Sequence, residues 1–334
     1  MRRSTTMSRI AGSEPIRALI IGCGAIAGGY DEAAPDSSQI LTHAKAYLRH
    51  PKFQMVGCVE PDREKRAKFM WTWEIPKGFA SLADVDIPYD VASVCVPTQY
   101  HAETLEALLT GPARLVFAEK PLTDDLERSR AIVRAYREAG KPLAVNYLRR
   151  WAPGLIKLKA EIEAGRWGSF IKGSAWYTKG LLNNGSHFLD LAAFLLGDLR
   201  PVARLGAIND GRSDDPTLDV LVKTGHDAPL YLLGANANAY SIFEADLLFA
   251  EGRISLTDSG FHLVRRTVTR SSRFTGYSVL GPARGSDSGL GQAMLDAADN
   301  IARNLVDQTP LNSTGRTALV AQELCAALAC LPET

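Results

Sequence analysis

The chain has 334 residues, of which 46% are hydrophobic, and a formal net charge of +1 at pH 7. This length and composition predict a globular protein with a large buried core and two domains. The near-zero charge gives no electrostatic reason to expect a nucleic acid or an anionic membrane as partner, and no apolar run in the sequence reaches the ~18 to 20 residues that span a bilayer.

The first motif of the chain follows a short N-terminal segment. Residues 1–15 lack the continuous apolar segment of a secretory signal, and we expect them to form a mobile tail. The apolar run 18–21 then predicts a buried parallel strand. It leads into a G-x-G-x-x-G/A fingerprint, in which glycines let the backbone approach a pyrophosphate at a helix N-terminus. The residues predicted to bind a dinucleotide there are Gly22, Gly24, Ala25, Ile26 and Ala27.

A second strand-like run, residues 54–59, ends on Glu60. A carboxylate at this position can accept hydrogen bonds from the adenosine ribose hydroxyls and repels a 2′-phosphate, so NAD is favoured over NADP. Arg63 and Lys65 lie nearby and leave NADP open as an alternative. The 38 residues from Gly22 to Glu60 exceed the usual ~20, and we assign the excess to a loop at residues 30–40.

Strands and helices alternate from here to residue 146. This alternation predicts a parallel, doubly wound α/β sheet, with its ligand beyond the carboxyl ends of the strands. Thr123 is expected to cap the helix that starts at residue 124, and Gly140 follows that helix directly. The predicted helices are 42–49, 62–71, 102–109 and 124–139, and the predicted strands lie near Phe79 and at 91–96, 114–118 and 141–146.

The pattern changes after residue 150, where consecutive strands lack crossover helices. This arrangement predicts a mostly antiparallel sheet in a second domain of α+β type, and hence domains at 16–147 and 148–334. Glu251 and Gly252 are expected to form a hairpin turn. The predicted strands are 170–177, 218–224, 230–233, 245–250, 254–257 and 263–268, and the predicted helices are 155–164, 186–196, 292–305 and 316–331.

The chain has five cysteines, and three of them, Cys23, Cys58 and Cys95, lie in or beside predicted buried strands. Buried cysteine behaves as a small hydrophobic residue. No C-x-x-C or Cys/His spacing indicates zinc, so no metal is expected. A reducing cytoplasm is the simplest compartment for such a chain.

Two residues are candidates for the chemistry of a reaction. Lys120 follows a buried strand directly, so its ammonium is expected at the carboxyl edge of the sheet, where it can donate to an oxygen that gains negative charge. His187 lies at a loop-to-helix junction that Asn184 or Ser186 could cap, and the helix dipole there favours a neutral imidazole base. The alternatives are a solvated lysine and a structural histidine.

Other candidates lie near the predicted domain boundary. Arg149 and Arg150 suit a phosphate or a carboxylate if they face a cleft, and a pair of solvated arginines is the alternative. Tyr177 and Lys179 precede the His187 segment and are predicted to floor a substrate pocket, although Tyr177 fits a sheet core equally well. The residues expected to border the dinucleotide are Pro97, Thr98, His101 and Asn146.

These motifs, in this order, resemble the glucose-fructose oxidoreductase, inositol dehydrogenase and MocA family of NAD(P)-dependent oxidoreductases. The resemblance covers nearly the whole chain and implies a Rossmann domain, with Lys120 as a catalytic lysine and His187 as an acid/base. It also implies an open C-terminal sheet that forms a homodimer or homotetramer, and cofactor contacts from Glu119, Lys120 and Asn146. The segments that carry it are GCGAIA at Gly22, VPTQYH from Val96, AEKP from Ala118, VNYLRRW from Val145 and NNGSHFLD from Asn183.

One position departs from the family pattern. Many members have an aspartate four residues before the histidine, where this chain has Asn183. An amide can orient an imidazole or bind a sugar hydroxyl, but it lacks the charge that supports imidazolium. Whether Lys120 shares the proton transfer therefore stays open.

The resemblance implies NAD-dependent oxidation of a secondary hydroxyl of a small-molecule sugar. The run from Gly185 onward is most similar to members that oxidise UDP-N-acetylglucosamine at its 3-hydroxyl, for surface polysaccharide or lipid A synthesis. Asn183, Asn184, Tyr177, Lys179, Arg149 and Arg150 are then the expected substrate contacts. The alternatives are a dehydrogenase of free sugars or inositols, a non-catalytic NAD(H) sensor, and an elimination or hydrolysis through transient oxidation.

Overall fold

The structure is a computed structural model that describes residues 14–333. Most of the tail expected at residues 1–15 lies outside the described residues. Contacts divide the chain into two compact units whose segments interleave along the sequence. The first unit runs up to Ala118 and includes Tyr136–Ala144 and Met294–Leu311, whereas the second comprises Glu119–Ala135, Val145–Ala293 and the chain from Asn312 onward.

The first unit is built on a six-stranded sheet. Its strands are β1 (Ile16–Ile21), β2 (Phe53–Val59), β3 (Gly78–Phe79), β4 (Val91–Val94), β5 (Leu115–Ala118) and β6 (Leu143–Val145). Their order is β3-β2-β1-β4-β5-β6, and β1 pairs in parallel with both β2 and β4. Every residue of β4, β5 and β6 is buried, as in a sheet covered on both faces. The predicted doubly wound sheet is confirmed.

Helical segments connect these strands. They are a π-helical segment at Ala25–Gly29, α1 (Tyr30–Glu32), α2 (His43–Arg49), α3 (Arg63–Trp73), α4 (His101–Thr110) and α5 (Leu126–Glu138). The expectation of a loop from residue 30 is wrong for α1, which continues the π-helical segment. Thr123 is not the cap of α5, because the carboxylate of Asp125 accepts from the N–H of Arg128 at 2.7 Å.

A buried ion pair organises the long connection between α1 and α2. Lys45 and Asp31 are almost fully buried, and Lys45 Nζ lies 3.3 Å from Asp31 Oδ1. The same ammonium donates to the Ser37 hydroxyl at 2.8 Å and to the Ala34 carbonyl at 3.2 Å. The other oxygen of Asp31 accepts from the Thr42 hydroxyl at 2.8 Å. The extra residues before β2 are therefore folded around a satisfied charge pair.

The second unit is built on a nine-stranded sheet. Its strands are β7 (Phe170–Tyr177), β8 (Leu199–Ile208), β9 (Thr217–Thr224), β10 (Pro229–Gly234), β11 (Phe243–Phe249), β12 (Gly252–Thr257), β13 (His262–Arg270), β14 (Ser278–Leu280) and β15 (Arg284–Asp287). The order is β14-β13-β12-β11-β7-β10-β9-β8, with β15 paired to β13. Only the β7–β10 pair is parallel among the pairings of these described strands, so the predicted, mostly antiparallel sheet is confirmed.

Burial alternates along the strands of this sheet. In β9, Leu218, Val220 and Val222 are fully buried while the residues between them are partly exposed. The sheet thus has one covered face.

The remaining helices are α6 (Pro153–Glu163), α7 (Ser186–Leu196), α8 (Ala293–Asp307) and α9 (Gly315–Cys330), and α7 packs against both α6 and α9. Over residues 14–333, none of the helices combines the length and the apolar character that a membrane crossing needs.

Three strands and one turn differ from the sequence expectation. β8, β14 and β15 were not predicted, because each is an outer strand with little burial and so shows no apolar alternation. The hairpin between β11 and β12 exists, but Phe249 pairs with Gly252. Its turn residues are therefore Ala250 and Glu251, and Gly252 already belongs to β12.

Replacing Lys45 with alanine tests the buried ion pair. The carboxylate of Asp31 would stay buried without its counter-ion, so the free energy of unfolding should fall by about 3–5 kcal/mol. Lys52→Ala, at an exposed lysine of the same unit, is the control and should change it by less than about 0.5 kcal/mol. Urea denaturation measures both variants, and equal stabilities would contradict the role given to Lys45.

Candidate active site

The glycine turn after β1 has the backbone that the fingerprint requires. Gly22 has φ +86°, and a Cβ placed on it would lie 2.8 Å from the backbone of Cys95. A Cβ on Gly24 would meet no atom closer than the Cys95 carbonyl oxygen at 4.0 Å, so the space in front of Gly24 is open. Ala27 is fully buried, and a Cβ on Gly28 would collide with Trp73 at 2.3 Å. The turn is closed toward the protein and open toward a ligand.

Glu60 lies directly against this turn. Its Oε2 accepts from the N–H of Cys23 at 3.1 Å and pairs with Lys65 Nζ at 3.0 Å. Burial alone would raise the pKa of Glu60, but hydrogen bonds from Lys65, Cys23 and Asp62 outweigh it and hold the pKa below its usual value. The group is therefore an ionised acceptor at neutral pH, at the place expected for a ribose contact.

The segment after β4 contains the other residues predicted to border the dinucleotide. Pro97 precedes a 3₁₀ turn at Thr98–Tyr100, and α4 begins at His101. The ring of His101 is buried, and its Nε2 lies 3.0 Å from the carbonyl oxygen of Val96. His101 therefore holds the shape of this segment, while Pro97 and Thr98 line its more accessible part.

Lys120 and the residue that holds it, Asn183, both belong to the second unit. Its Nζ donates to the carbonyl oxygen of Asn183 at 2.8 Å and to Asn183 Oδ1 at 2.9 Å. Burial lowers the pKa of Lys120, the charges of Glu119 and Asp215 oppose this, and Arg149 adds to it. The amide of Asn183 also donates from Nδ2 to the carbonyl of Lys179 at 3.0 Å, so it serves Lys120 rather than His187.

His187 lies among aromatic rings and two cations. The ring of Tyr147 meets it edge-on at 5.5 Å, and that of Phe243 does so at 6.4 Å. Burial, together with the positive charges of Lys120 and Arg149, holds the pKa of His187 well below its ordinary value. The imidazole is therefore neutral at neutral pH and can take up a proton.

Arg149 supplies the second cation. Its guanidinium carbon lies 3.6 Å above the ring centroid of Phe243, and Nη2 donates to the carbonyl of Ser259 at 3.1 Å. Burial lowers the pKa of Arg149 to about 9, so the group remains charged at pH 7. Its buried Nε has no hydrogen-bond partner within residues 14–333.

Several predicted contact residues are committed to other partners. Arg150 is buried, and its Nε lies 2.8 Å and 2.9 Å from the two carboxylate oxygens of Asp190. Burial raises the pKa of Asp190, and the guanidinium opposes that rise. Tyr177 is fully buried, with its hydroxyl donating to the carbonyl of Leu218 at 2.7 Å, so it is part of the sheet core. Arg150 and Tyr177 are therefore bonded within the protein and are not free to bind a substrate.

The remaining predicted residues are Asn146, Lys179 and Asn184, and each has a hydrogen-bond partner in the second unit. Asn146 Nδ2 donates to Glu119 Oε1 at 2.7 Å, and both residues are buried. Lys179 is exposed, with φ +69°, and its carbonyl accepts from Asn183. Asn184 donates from Nδ2 to the carbonyl of Thr178 at 2.9 Å.

The predicted caps of the His187 helix are wrong. The residue before α7 is Gly185, and neither Asn184 nor Ser186 caps the helix with its side chain. The reason is that α7 continues a π-helical segment, Leu181–Gly185, so the helical run begins five residues earlier. Its first free N–H groups bond to Asp215 instead. Sequence reasoning missed Asp215 because it lies 32 residues from Asn183, and Asp-Asp-Pro marks only a turn.

The parallel sheet, the open glycine turn and the ionised Glu60 together define an NAD-binding Rossmann fold. A comparison with family models agrees with this class: residues 16–147 match the oxidoreductase family GFO/IDH/MocA, described by its NAD-binding Rossmann fold. Residues 16–147 are therefore an NAD-binding Rossmann fold similar to that of this family, and the cofactor of the fold is NAD.

Comparisons with known proteins agree on the fold and differ in substrate. A protein of Amycolatopsis mediterranei named a UDP-kanosamine synthase oxidoreductase subunit is 31% identical over 48% of this chain and 49% of its own. The inositol 2-dehydrogenase of Rhizobium meliloti is 28% identical over 47% of this chain and 51% of its own. The matched segments thus span about half the length of these relatives.

A solved structure matches over a longer range. The WlbA dehydrogenase of Bordetella pertussis, in complex with NADH and UDP-GlcNAcA, superposes with a TM-score of 0.75 and 18% identity. The match covers 95% of this chain and 96% of that one. The two proteins therefore share their fold over nearly their whole lengths.

The open space at Gly24 makes a test of the cofactor site possible. Gly24→Ala should fold normally, because its φ of −83° suits alanine and the new Cβ has room. It should weaken NAD binding at least about tenfold, since the methyl group occupies the approach of the pyrophosphate. Titration calorimetry with NAD measures the affinity, and thermal unfolding serves as the control. Wild-type affinity in the variant would contradict this placement of the cofactor.

Proposed function

We propose that the protein is an NAD-dependent dehydrogenase that oxidises a secondary hydroxyl of a sugar. The observation that carries this proposal is the presence, within one unit, of Lys120, whose Nζ is held by two oxygens of Asn183, and of a neutral His187. A secondary alcohol needs a group that accepts its proton and a group that stabilises the oxygen as it becomes alkoxide-like. These two side chains supply both functions.

The chemistry divides between the two residues. The imidazole of His187 accepts the hydroxyl proton, and a low pKa keeps it in the neutral form that can do so. The ammonium of Lys120 donates to the substrate oxygen and stabilises its developing charge. NAD, held by the glycine turn and Glu60, would supply the acceptor for the hydride of the carbinol carbon. Asn183 fixes the ammonium with its carbonyl oxygen and its Oδ1.

We further propose a nucleotide sugar as the substrate, with oxidation at the 3-hydroxyl of UDP-N-acetylglucosamine as the specific reaction, for surface polysaccharide or lipid A synthesis. The partly exposed Arg149 suits an anionic group of such a substrate, and Lys179 and Asn184 are close to Asn183 in the sequence. Arg150 is not included, because Asp190 occupies its guanidinium. Matches to proteins named for UDP-sugars support this choice.

The second candidate is a dehydrogenase of a free sugar or inositol, which the match to inositol 2-dehydrogenase favours. Purified protein with NAD, followed by NADH absorbance against UDP-sugars, free sugars and inositols, separates the candidates. Turnover with UDP-N-acetylglucosamine but not with the free sugar supports the nucleotide-sugar substrate. Turnover with inositol alone supports the second candidate. NAD binding without turnover on any compound would favour a sensor, and product without net NADH would favour elimination or hydrolysis through transient oxidation.

We also propose domains at 16–147 and 148–334, and a homodimer or homotetramer that assembles through the C-terminal sheet. Trp176 on β7 and Leu248 on β11 are 45% and 39% exposed, which is consistent with a sheet face that a second copy covers. Sedimentation equilibrium measures the subunit number. None of the five cysteines, which all lie within residues 14–333, forms a disulfide, and this supports a reducing cytoplasm as the compartment.

Removing either catalytic side chain should abolish most of the turnover. Lys120→Ala and His187→Ala are each expected to lower kcat by about 10²- to 10⁴-fold, because each removes a group that acts on the reacting hydroxyl. The affinity for NAD should change little. Lys157→Ala and His262→Ala, at exposed residues, are the matched controls. Near-normal turnover in both active-site variants would refute the roles assigned here.

A further inference from the structure

The loop before β9 clamps the segment that carries Asn183. Four consecutive N–H groups, from residues 180 to 183, donate to three consecutive residues, Asp215, Pro216 and Thr217. The carboxylate of Asp215 takes two of them: Oδ1 accepts from Leu182 at 2.7 Å, and Oδ2 accepts from Asn183 at 2.8 Å. The first N–H groups of a helical run have no partner within the run, so Asp215 caps it from a distant part of the chain.

The clamp depends on close approach at Gly180. This residue has φ +89°, and a Cβ on it would lie 2.0 Å from Asp215 Oδ2. Gly180 itself donates to the Thr217 hydroxyl at 2.9 Å. Only glycine at this position lets the carboxylate reach the next two N–H groups. The contact between Asp215 and the N–H groups of residues 182 and 183 therefore depends on the absence of a side chain at Gly180.

Asp215 is connected to Lys120 through Asn183. The backbone of Asn183 is fixed by Asp215, and the carbonyl and Oδ1 of the same residue hold Lys120 Nζ. We propose that Asp215 is a positioning residue, which fixes Asn183 and thereby orients the ammonium group of Lys120. The importance of this for catalysis rests on the proposed dehydrogenase function.

The charges around the ammonium act in the same direction. Among the groups that face Lys120, Glu119 and Asp215 raise its pKa, whereas burial and Arg149 lower it. Loss of the negative charge at residue 215 would therefore lower the pKa of Lys120 further. A larger fraction of the lysine would then be uncharged at a given pH.

Asp215→Asn, with Asp214→Asn as the matched control, tests the proposal without any substrate. Asp214 is the exposed neighbour, and its carboxylate accepts only from the Ser213 hydroxyl among the hydrogen bonds found in residues 14–333. Hydrogen exchange of the peptide 180–185 should accelerate at least about tenfold in Asp215→Asn, because an amide nitrogen would face an N–H donor. Asp214→Asn should exchange like the wild type.

Competitive acylation with acetic anhydride, read by mass spectrometry of the peptide that contains Lys120, provides the second readout. The reactivity of Lys120 at pH 8 should rise about three- to tenfold in Asp215→Asn and stay unchanged in Asp214→Asn. Wild-type exchange and wild-type reactivity in Asp215→Asn would overturn the proposal. If that variant does not fold, Asp215→Glu takes its place, and unchanged exchange in it would be equally contradictory.

Neither readout requires turnover, so the two proposals can fail separately. If the exchange and acylation change as expected but the wild type oxidises no sugar, the dehydrogenase function fails and the positioning of Lys120 stands. With an active wild type, Asp215→Asn should lower kcat about tenfold while KM for NAD stays within about twofold. A purely structural defect would not change the reactivity of Lys120 selectively.

Discussion

The structure of the candidate site depends on one contact, in which the ammonium of Lys120 is held by both oxygens of Asn183. A lysine that is largely desolvated needs such acceptors to stay charged. Burial of the ring, together with the charges of Lys120 and Arg149, lowers the pKa of His187 and so disfavours imidazolium. Under the proposed function, Lys120 would stabilise an alkoxide-like oxygen and the neutral His187 would take up its proton.

In the cofactor turn, different residues fix the backbone and leave room for a ligand. Gly22 is pressed against the backbone of Cys95, Gly28 against Trp73, and only Gly24 faces open space. Glu60 anchors the turn through the N–H of Cys23 and remains ionised. The residues that fix the loop and the residue that leaves room for a ligand are therefore different ones, which explains why the fingerprint needs small residues at several positions.

The sequence was sufficient for the parallel sheet and for the residue types of the site, because buried strands are continuous apolar runs and the motifs are local. It was insufficient where partners are distant in the chain. The Asp215 clamp, the Arg150–Asp190 pair and the Lys45–Asp31 pair join residues that no spacing rule relates. Outer strands such as β8 were missed for a second reason: weak burial leaves no alternation to detect.

The central claim is that His187 is neutral beside Lys120, and an NMR titration of the His187 ring tests it most directly. The C2–H signal, assigned with His187→Gln, would be followed from pH 4 to 9. The account predicts a midpoint well below the ordinary value of about 6.5, so that the ring is uncharged at neutral pH. A midpoint at or above that value would mean an imidazolium at neutral pH, and His187 would then not be the group that accepts the proton.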